Sequence, residues 1–138
     1  MPKKVLINGC WDPWHYGHHI HALQAKEIGG KDCELWCSVT DDANVLKGAG
    51  RPIFKQEQRL AVVKSIRIID KAFTCASLIE ALDFAKPDIL IKGIDYRDGL
   101  HEVHENYCKK RGIEIRYTTT PKLSAAEMIK AALESKRH

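Results

Sequence analysis

A chain of 138 residues with 44% hydrophobic and 29% charged residues is expected to form one domain, 1–138, with a core that needs no disulfide or metal. Its formal net charge of +4 suits anionic ligands but lacks the basic stripe of a nucleic-acid binder, and no segment has the apolar length of a membrane span or a secretory pattern. Five scattered cysteines (Cys10, Cys33, Cys37, Cys75 and Cys108) are an odd set rather than a disulfide framework, and they read as small hydrophobes in a reducing cytoplasm.

In chain order the pattern alternates. Val5-Leu6-Ile7 marks a buried first strand over Lys4–Asn8. A turn rich in glycine and histidine leads from it into a helix over Tyr16–Ile28, with Ile20, Ala22, Leu23 and Ala25 on one side and Gly29-Gly30 at its end. Further strands are predicted over Glu34–Thr40, Lys71–Cys75, Asp88–Lys92 and Glu114–Thr118. Helices fall between them over Gln56–Ile66, Ser77–Ala85 and Glu102–Arg111, and a last one over Ser124–Ser135. Ser77 and Ser124 read as N-caps, Glu127 completes a capping box with Ser124, and Gly112 closes the fourth helix. Such alternation predicts an α/β fold: a single Rossmann-like, doubly wound, five-stranded parallel sheet with helices on both faces. The irregular run Asp41–Lys55 is the one long loop, and loops of that length are usually binding loops or lids that move until ligand arrives.

Doubly wound sheets bind ligands beyond the carboxyl ends of their strands, where strand order reverses. In the usual order strands one and four are neighbours there, so Asn8–His18 and Lys92-Gly93-Ile94-Asp95-Tyr96 converge. His15 and His18, three residues apart at a strand-to-helix turn, read as phosphate ligands, because a helix N-terminus carries free N–H groups and positive partial charge. His19 and His21 point to other sides of the helix and read as packed or solvated. Zinc is not expected: two of the four histidines face away and no cysteine or carboxylate completes a tetrahedral set. His101 and His104 are three apart rather than the four of H-E-x-x-H and read as a helix face or pocket rim.

Asp12 reads either as the cap of the first helix or as a holder of an acceptor hydroxyl or of the metal on a nucleotide. Lys47, on the long loop, and Arg59, early in the second helix, are the basic groups most suited to phosphate. Gly93 lets a flat base approach the backbone, Asp95 and Tyr96 offer polar and stacking contacts, and Ser124 with nearby amides could hold terminal phosphates. Gly29-Gly30-Lys31 is no P-loop and no G-x-G-x-x-G follows the first strand, which disfavours a dinucleotide oxidoreductase.

Residues 9–18 match Gly-x-aromatic-Asp-x-x-His-x-Gly-His, and in this the chain resembles the cytidylyltransferase-like nucleotidyltransferases, with Trp11 where Phe is usual. Arg51-Pro52-Ile53, Glu57-Gln58-Arg59 and Pro87–Tyr96 extend the similarity, most towards the adenylyltransferase domain of heptose-phosphate metabolism and next towards glycerol-3-phosphate cytidylyltransferase. The resemblance implies transfer of AMP, or secondly CMP, from an NTP to a sugar or polyol phosphate such as heptose-1-phosphate, with pyrophosphate released. It implies His15, His18, Lys47 and Arg59 as catalytic groups; Gly9, Cys10, Trp11, Gly17, Lys92, Gly93, Asp95, Tyr96 and Ser124 around the nucleotide; and Asp12, Asp41 and Lys47 around the acceptor. It also implies Mg²⁺ arriving on the triphosphate, no resident metal, no nucleic-acid or membrane partner, and a cytoplasmic homodimer. Two departures stand out: Ser124-Ala125-Ala126 replaces Ser-Thr-Thr, and Ile94 replaces the second glycine of Lys-Gly-Gly-Asp-Tyr. The rival class is a non-catalytic nucleotide-binding module.

Overall fold

A computed structural model of the chain describes residues 2–46, 48–93, 101–119, 130 and 132–135. Five strands, β1 (Lys4–Gly9), β2 (Glu34–Thr40), β3 (Lys71–Cys75), β4 (Ile89–Lys92) and β5 (Glu114–Tyr117), form one sheet in the order β3-β2-β1-β4-β5. Every pairing is parallel. Helices α1 (Tyr16–Gly29), α2 (Gln56–Lys64), α3 (Leu78–Ala85) and α4 (Glu102–Arg111) connect them. The order reverses between β1 and β4, so the switch point lies where the sequence predicts it. The last predicted helix lies largely outside the described residues; 132–135 are helical.

Period-two alternation in β1 divides the core. Val5 and Ile7 turn to one face, where Ala22 and Ala25 of α1 and Val63 of α2 cover them. Leu6 turns to the other, under Leu78, Ala81, Leu82 and Ala85 of α3 and Cys108 of α4. Small residues bring α1 close to the sheet: a Cβ on Gly29 would stand 2.5 Å from Val5 Cγ2. Ser77 caps α3 by accepting from Glu80 N at 3.1 Å, and Gly112 follows the last turn of α4, both as the sequence predicts.

All five cysteines are free, and four are buried. Burial pushes the Cys37 thiol well above its ordinary value and that of Cys75 to about 11, which suits packing rather than nucleophilic chemistry. No helix among the described residues is long and apolar enough to cross a membrane.

Candidate active site

The turn after β1 delivers two imidazoles to the N-terminus of α1, and they form the cap itself. His15, not Asp12, is the N-cap: its Nδ1 accepts the Gly17 N–H at 3.1 Å, while Nδ1 of His18 accepts the His15 N–H at 3.2 Å. The rings stack with centroids 3.7 Å apart and planes 19° apart. Since a backbone N–H can only donate, each Nδ1 must offer its lone pair, and each neutral ring therefore carries its proton on Nε2. Two N–H donors at a helix N-terminus match a phosphate oxygen with no rearrangement of tautomers. The Gly17 amide, expected at the nucleotide, is instead engaged by the cap.

Beneath the pair lies Trp11, which the sequence places at the nucleotide. The structure corrects this: Trp11 is buried, and its indole N–H donates to Ser38 O at 2.9 Å. Its ring meets His18 edge-on at 4.9 Å, so it supports the imidazole from below. Trp11 takes a left-handed backbone, φ +53°, which an L-residue holds only against a conformational cost. Gly9 makes room for the ring, because a Cβ there would come within 2.9 Å of it. Cys10 is half-buried, and its carbonyl accepts from Arg59.

Asp12 is a second correction. Its side chain is fully buried and its carboxylate is occupied: Oδ2 accepts from Ile53 N at 2.7 Å and Arg51 Nε at 2.9 Å, and Oδ1 accepts from Phe54 N at 2.8 Å. Its carboxylate is taken up by these three donors rather than turned to an acceptor pocket, and it fastens the end of the long loop to the histidine turn. The expected lid is therefore tied at residues 51–54, whereas Leu46 is almost wholly exposed. Arg51 as the partner of Asp12 escaped the sequence reading; an acid in a glycine turn facing an Arg-Pro in a loop is the signal that was there.

Burial alone would raise the Asp12 carboxyl, but the Phe54 and Ile53 N–H groups and the Arg51 guanidinium outweigh it and hold the group below its ordinary 3.8. A depressed carboxylate contributes stability that is full above its unfolded pKa and is lost as pH falls through the folded one. The clamp should therefore hold from neutrality down to about pH 4 and fail in stronger acid. Melting temperature measured from pH 6 to pH 2.5 should fall less steeply in Asp12→Asn than in wild type; parallel curves would refute the clamp's contribution.

Arg59 is the third correction. Expected as a phosphate ligand, it is 1% exposed and turned inward. Its Nε donates to Phe54 O at 2.8 Å, and Nη1 donates to Thr40 O at 2.6 Å and Cys10 O at 2.8 Å. Nη2 meets Asp42 Oδ1 at 2.7 Å. The planar fork thus joins the chain after β1, the end of β2 and the start of α2. Asp41 caps the short 3-10 turn Asp42–Asn44, accepting from Asn44 N at 3.1 Å at the carboxyl end of β2.

Across the switch point, Lys92 ends β4 and Gly93 follows it, both half-buried. The Lys92 carbonyl accepts from Thr118 N, and Thr118 Oγ1 lies 3.3 Å from His21 Nδ1. His101 caps α4 through Nδ1 and the Val103 N–H at 3.1 Å, and its ring centroid is 5.6 Å from that of His104. Burial, then the charges of Lys92 and His101, lower the His104 pKa. Lys47, Ile94, Asp95, Tyr96, Ser124, Ala125 and Ala126, together with the Ser124–Glu127 capping box, lie outside the described residues. Among the described residues no three His, Cys, Asp or Glu side chains gather as a metal site.

A parallel sheet with paired imidazoles at the helix N-terminus beside its switch point defines a nucleotide-binding α/β domain equipped for phosphate chemistry. Residues 6–132 match the cytidylyltransferase-like family model, and the chain belongs to that family. It is a nucleotidyltransferase. An FAD synthase of Methanobrevibacter smithii is 30% identical over 129 residues, 91% of this chain and 84% of its own length. The bifunctional protein HldE of Pseudomonas savastanoi is 40% identical over 98 residues, which cover 68% of this chain and 20% of that protein. Among solved structures, a lipopolysaccharide core biosynthesis protein of Thermoplasma volcanium superposes with a TM-score of 0.67 at 27% identity, covering 88% of this chain and 98% of that one.

Proposed function

We propose that the chain transfers AMP from Mg²⁺-bound ATP to a phosphate monoester and releases pyrophosphate. The observation that carries this reading is the stacked His15–His18 pair at the N-terminus of α1, in which each Nδ1 accepts a backbone N–H. An oxygen lone pair of the acceptor phosphate attacks the α-phosphorus, the bond from that phosphorus to the bridging oxygen breaks, and the electron pair leaves on pyrophosphate. A phosphate monoester has a second pKa of about 6, so it is already a nucleophile at neutrality and needs no general base. Catalysis is then positioning and charge stabilisation, with the imidazoles donating to the oxygens that gain charge.

ATP is favoured over CTP because similarity runs to an FAD synthase and to HldE over most of the chain. A sugar or polyol phosphate, heptose-1-phosphate included, is the acceptor class that the sequence resemblance implies. Mg²⁺ enters on the triphosphate as part of the substrate, and the same reading makes the protein a cytoplasmic homodimer. The Ala125–Ala126 pair favours a second reading, a nucleotide-binding module without turnover.

Pyrophosphate release tests both, with ATP and CTP each crossed against heptose-1-phosphate, glycerol 3-phosphate and riboflavin 5′-phosphate in the presence of Mg²⁺. Release with an ATP pair is expected. Nucleotide binding with silence across the whole grid would overturn transfer in favour of the module.

A further inference from the structure

The helix that carries the imidazole pair also grips the far side of the switch point. Three and six residues after His18, His21 and Gln24 stand on one flank of α1 and meet the chain where it leaves β5. His21 Nδ1 lies 3.3 Å from Thr118 Oγ1, and Gln24 Oε1 accepts the Thr119 N–H at 2.9 Å. Thr118 in turn donates its N–H to the Lys92 carbonyl at 3.0 Å, which joins the exits of β4 and β5. Two successive residues are thus bonded to two points on one rigid helix, about 4.5 Å apart along its axis. Such a pair of bonds fixes distance and tilt together, which a single contact does not.

Packing alone does not call for these groups. Thr118 is 2% exposed, and a valine there facing a leucine at position 21 would fill much the same space. Exchanging both partners of a buried hydrogen bond for apolar groups of similar shape costs little stability. What the polar pair adds is direction. Its place also counts: residues 118 and 119 lie just outside the carboxyl end of β5, where a doubly wound sheet opens its ligand crevice. His15 and His18 of α1 stand on one side of that opening, and the exits of β4 and β5 stand on the other. We propose that His21 and Gln24 are positioning residues for the nucleotide, acting through residues 118 and 119 to set the span between the imidazole pair and the ends of β4 and β5. The proposal rests on the nucleotide reading above, in which phosphates lie at the imidazoles and the nucleoside reaches across to the strand ends.

Calorimetric titration with Mg²⁺–ATP, Mg²⁺–CTP and Mg²⁺–pyrophosphate tests it, because pyrophosphate needs only the imidazole side. Thr118→Val removes the hydroxyl at constant shape, and Gln24→Met removes the acceptor at similar length. The variant carrying both should bind the preferred nucleotide about tenfold or more weakly, while its pyrophosphate affinity stays within about twofold. Its Tm should stay within about 3 °C of wild type. Gln24→Met alone, at a half-buried helix position, should show the same selectivity with a loss of about threefold. Thr118→Ser keeps the hydroxyl and should bind as the wild type does; a serine variant as weak as the valine one overturns the role of His21. Unchanged nucleotide affinity in the combined variant overturns the proposal. So does an equal loss for nucleotide and pyrophosphate, since the two side chains would then only brace the fold. Selective loss of nucleotide, with no pyrophosphate released from any acceptor, leaves the positioning role standing and the transfer reading fallen. Pyrophosphate release by the combined variant at the wild-type KM for nucleotide does the reverse.

Discussion

His15→Ala and His18→Ala are each expected to lower the turnover of pyrophosphate release by roughly 10²–10³, the scale for losing one preorganised donor to a charge-gaining oxygen. The loss should fall on kcat more than on KM, because the Nε2 protons matter most when charge gathers on the phosphate. The two variants should differ in stability. His15→Ala removes the N-cap and its bond to Gly17, worth about 1 kcal/mol. His18→Ala also empties the space beside Trp11 and Trp14 and should melt lower. The double variant should be little slower than either single one, since stacked donors that act together are not additive. Single-turnover kinetics on folded protein decides the matter: a variant with wild-type turnover removes that histidine from the mechanism.

The largest effect on stability is expected at Arg59. Truncation to alanine leaves the Phe54, Cys10 and Thr40 carbonyls and the Asp42 carboxylate without their donor. Breaking a buried charged network in this way costs about 3–5 kcal/mol, or roughly 10 °C or more in Tm for a domain of this size. Arg59→Lys should recover little, since one ammonium cannot span acceptors on three segments. A phosphate ligand on a helix surface would behave oppositely, losing affinity while melting normally. Thermal melts of Arg59→Ala beside those of an exposed control, Lys64→Ala, separate the two roles; equal Tm values would return Arg59 to the phosphate site.

The difference between those roles shows where sequence reasoning reaches and where it stops. Every strand from β1 to β5 was legible to within a residue at its ends, because a parallel sheet covered on both faces forces contiguous runs such as Val5-Leu6-Ile7 and Ile89-Leu90-Ile91. The switch point followed from the alternation together with the usual strand order of doubly wound sheets. Charged side chains were harder to place. Arg59 and Asp12 stand in motif positions, and a motif says that a residue matters without saying which way it faces. Apart from the nearby Phe54 carbonyl on Arg59, their orientation is settled by partners 17 to 49 positions away in the chain, a pairing that neither periodicity nor spacing encodes. Trp11 misled for a related reason: an aromatic ring in a binding turn suggests stacking on a base, and only the Ser38 carbonyl beneath it shows that it packs downward.

If the imidazole of His15 binds phosphate as proposed, its place as the N-cap of α1 ties two selective pressures to one position. Histidine is a middling cap, and serine, asparagine or aspartate would serve the helix better. His15→Asp should therefore gain several tenths of a kcal/mol in stability, aided by the helix dipole, while abolishing turnover. Selection for robustness and selection for catalysis pull against each other at that residue. In a library selected only for folding, position 15 should drift towards acids and hydroxyls, whereas one selected for product should keep its histidine and recover stability elsewhere.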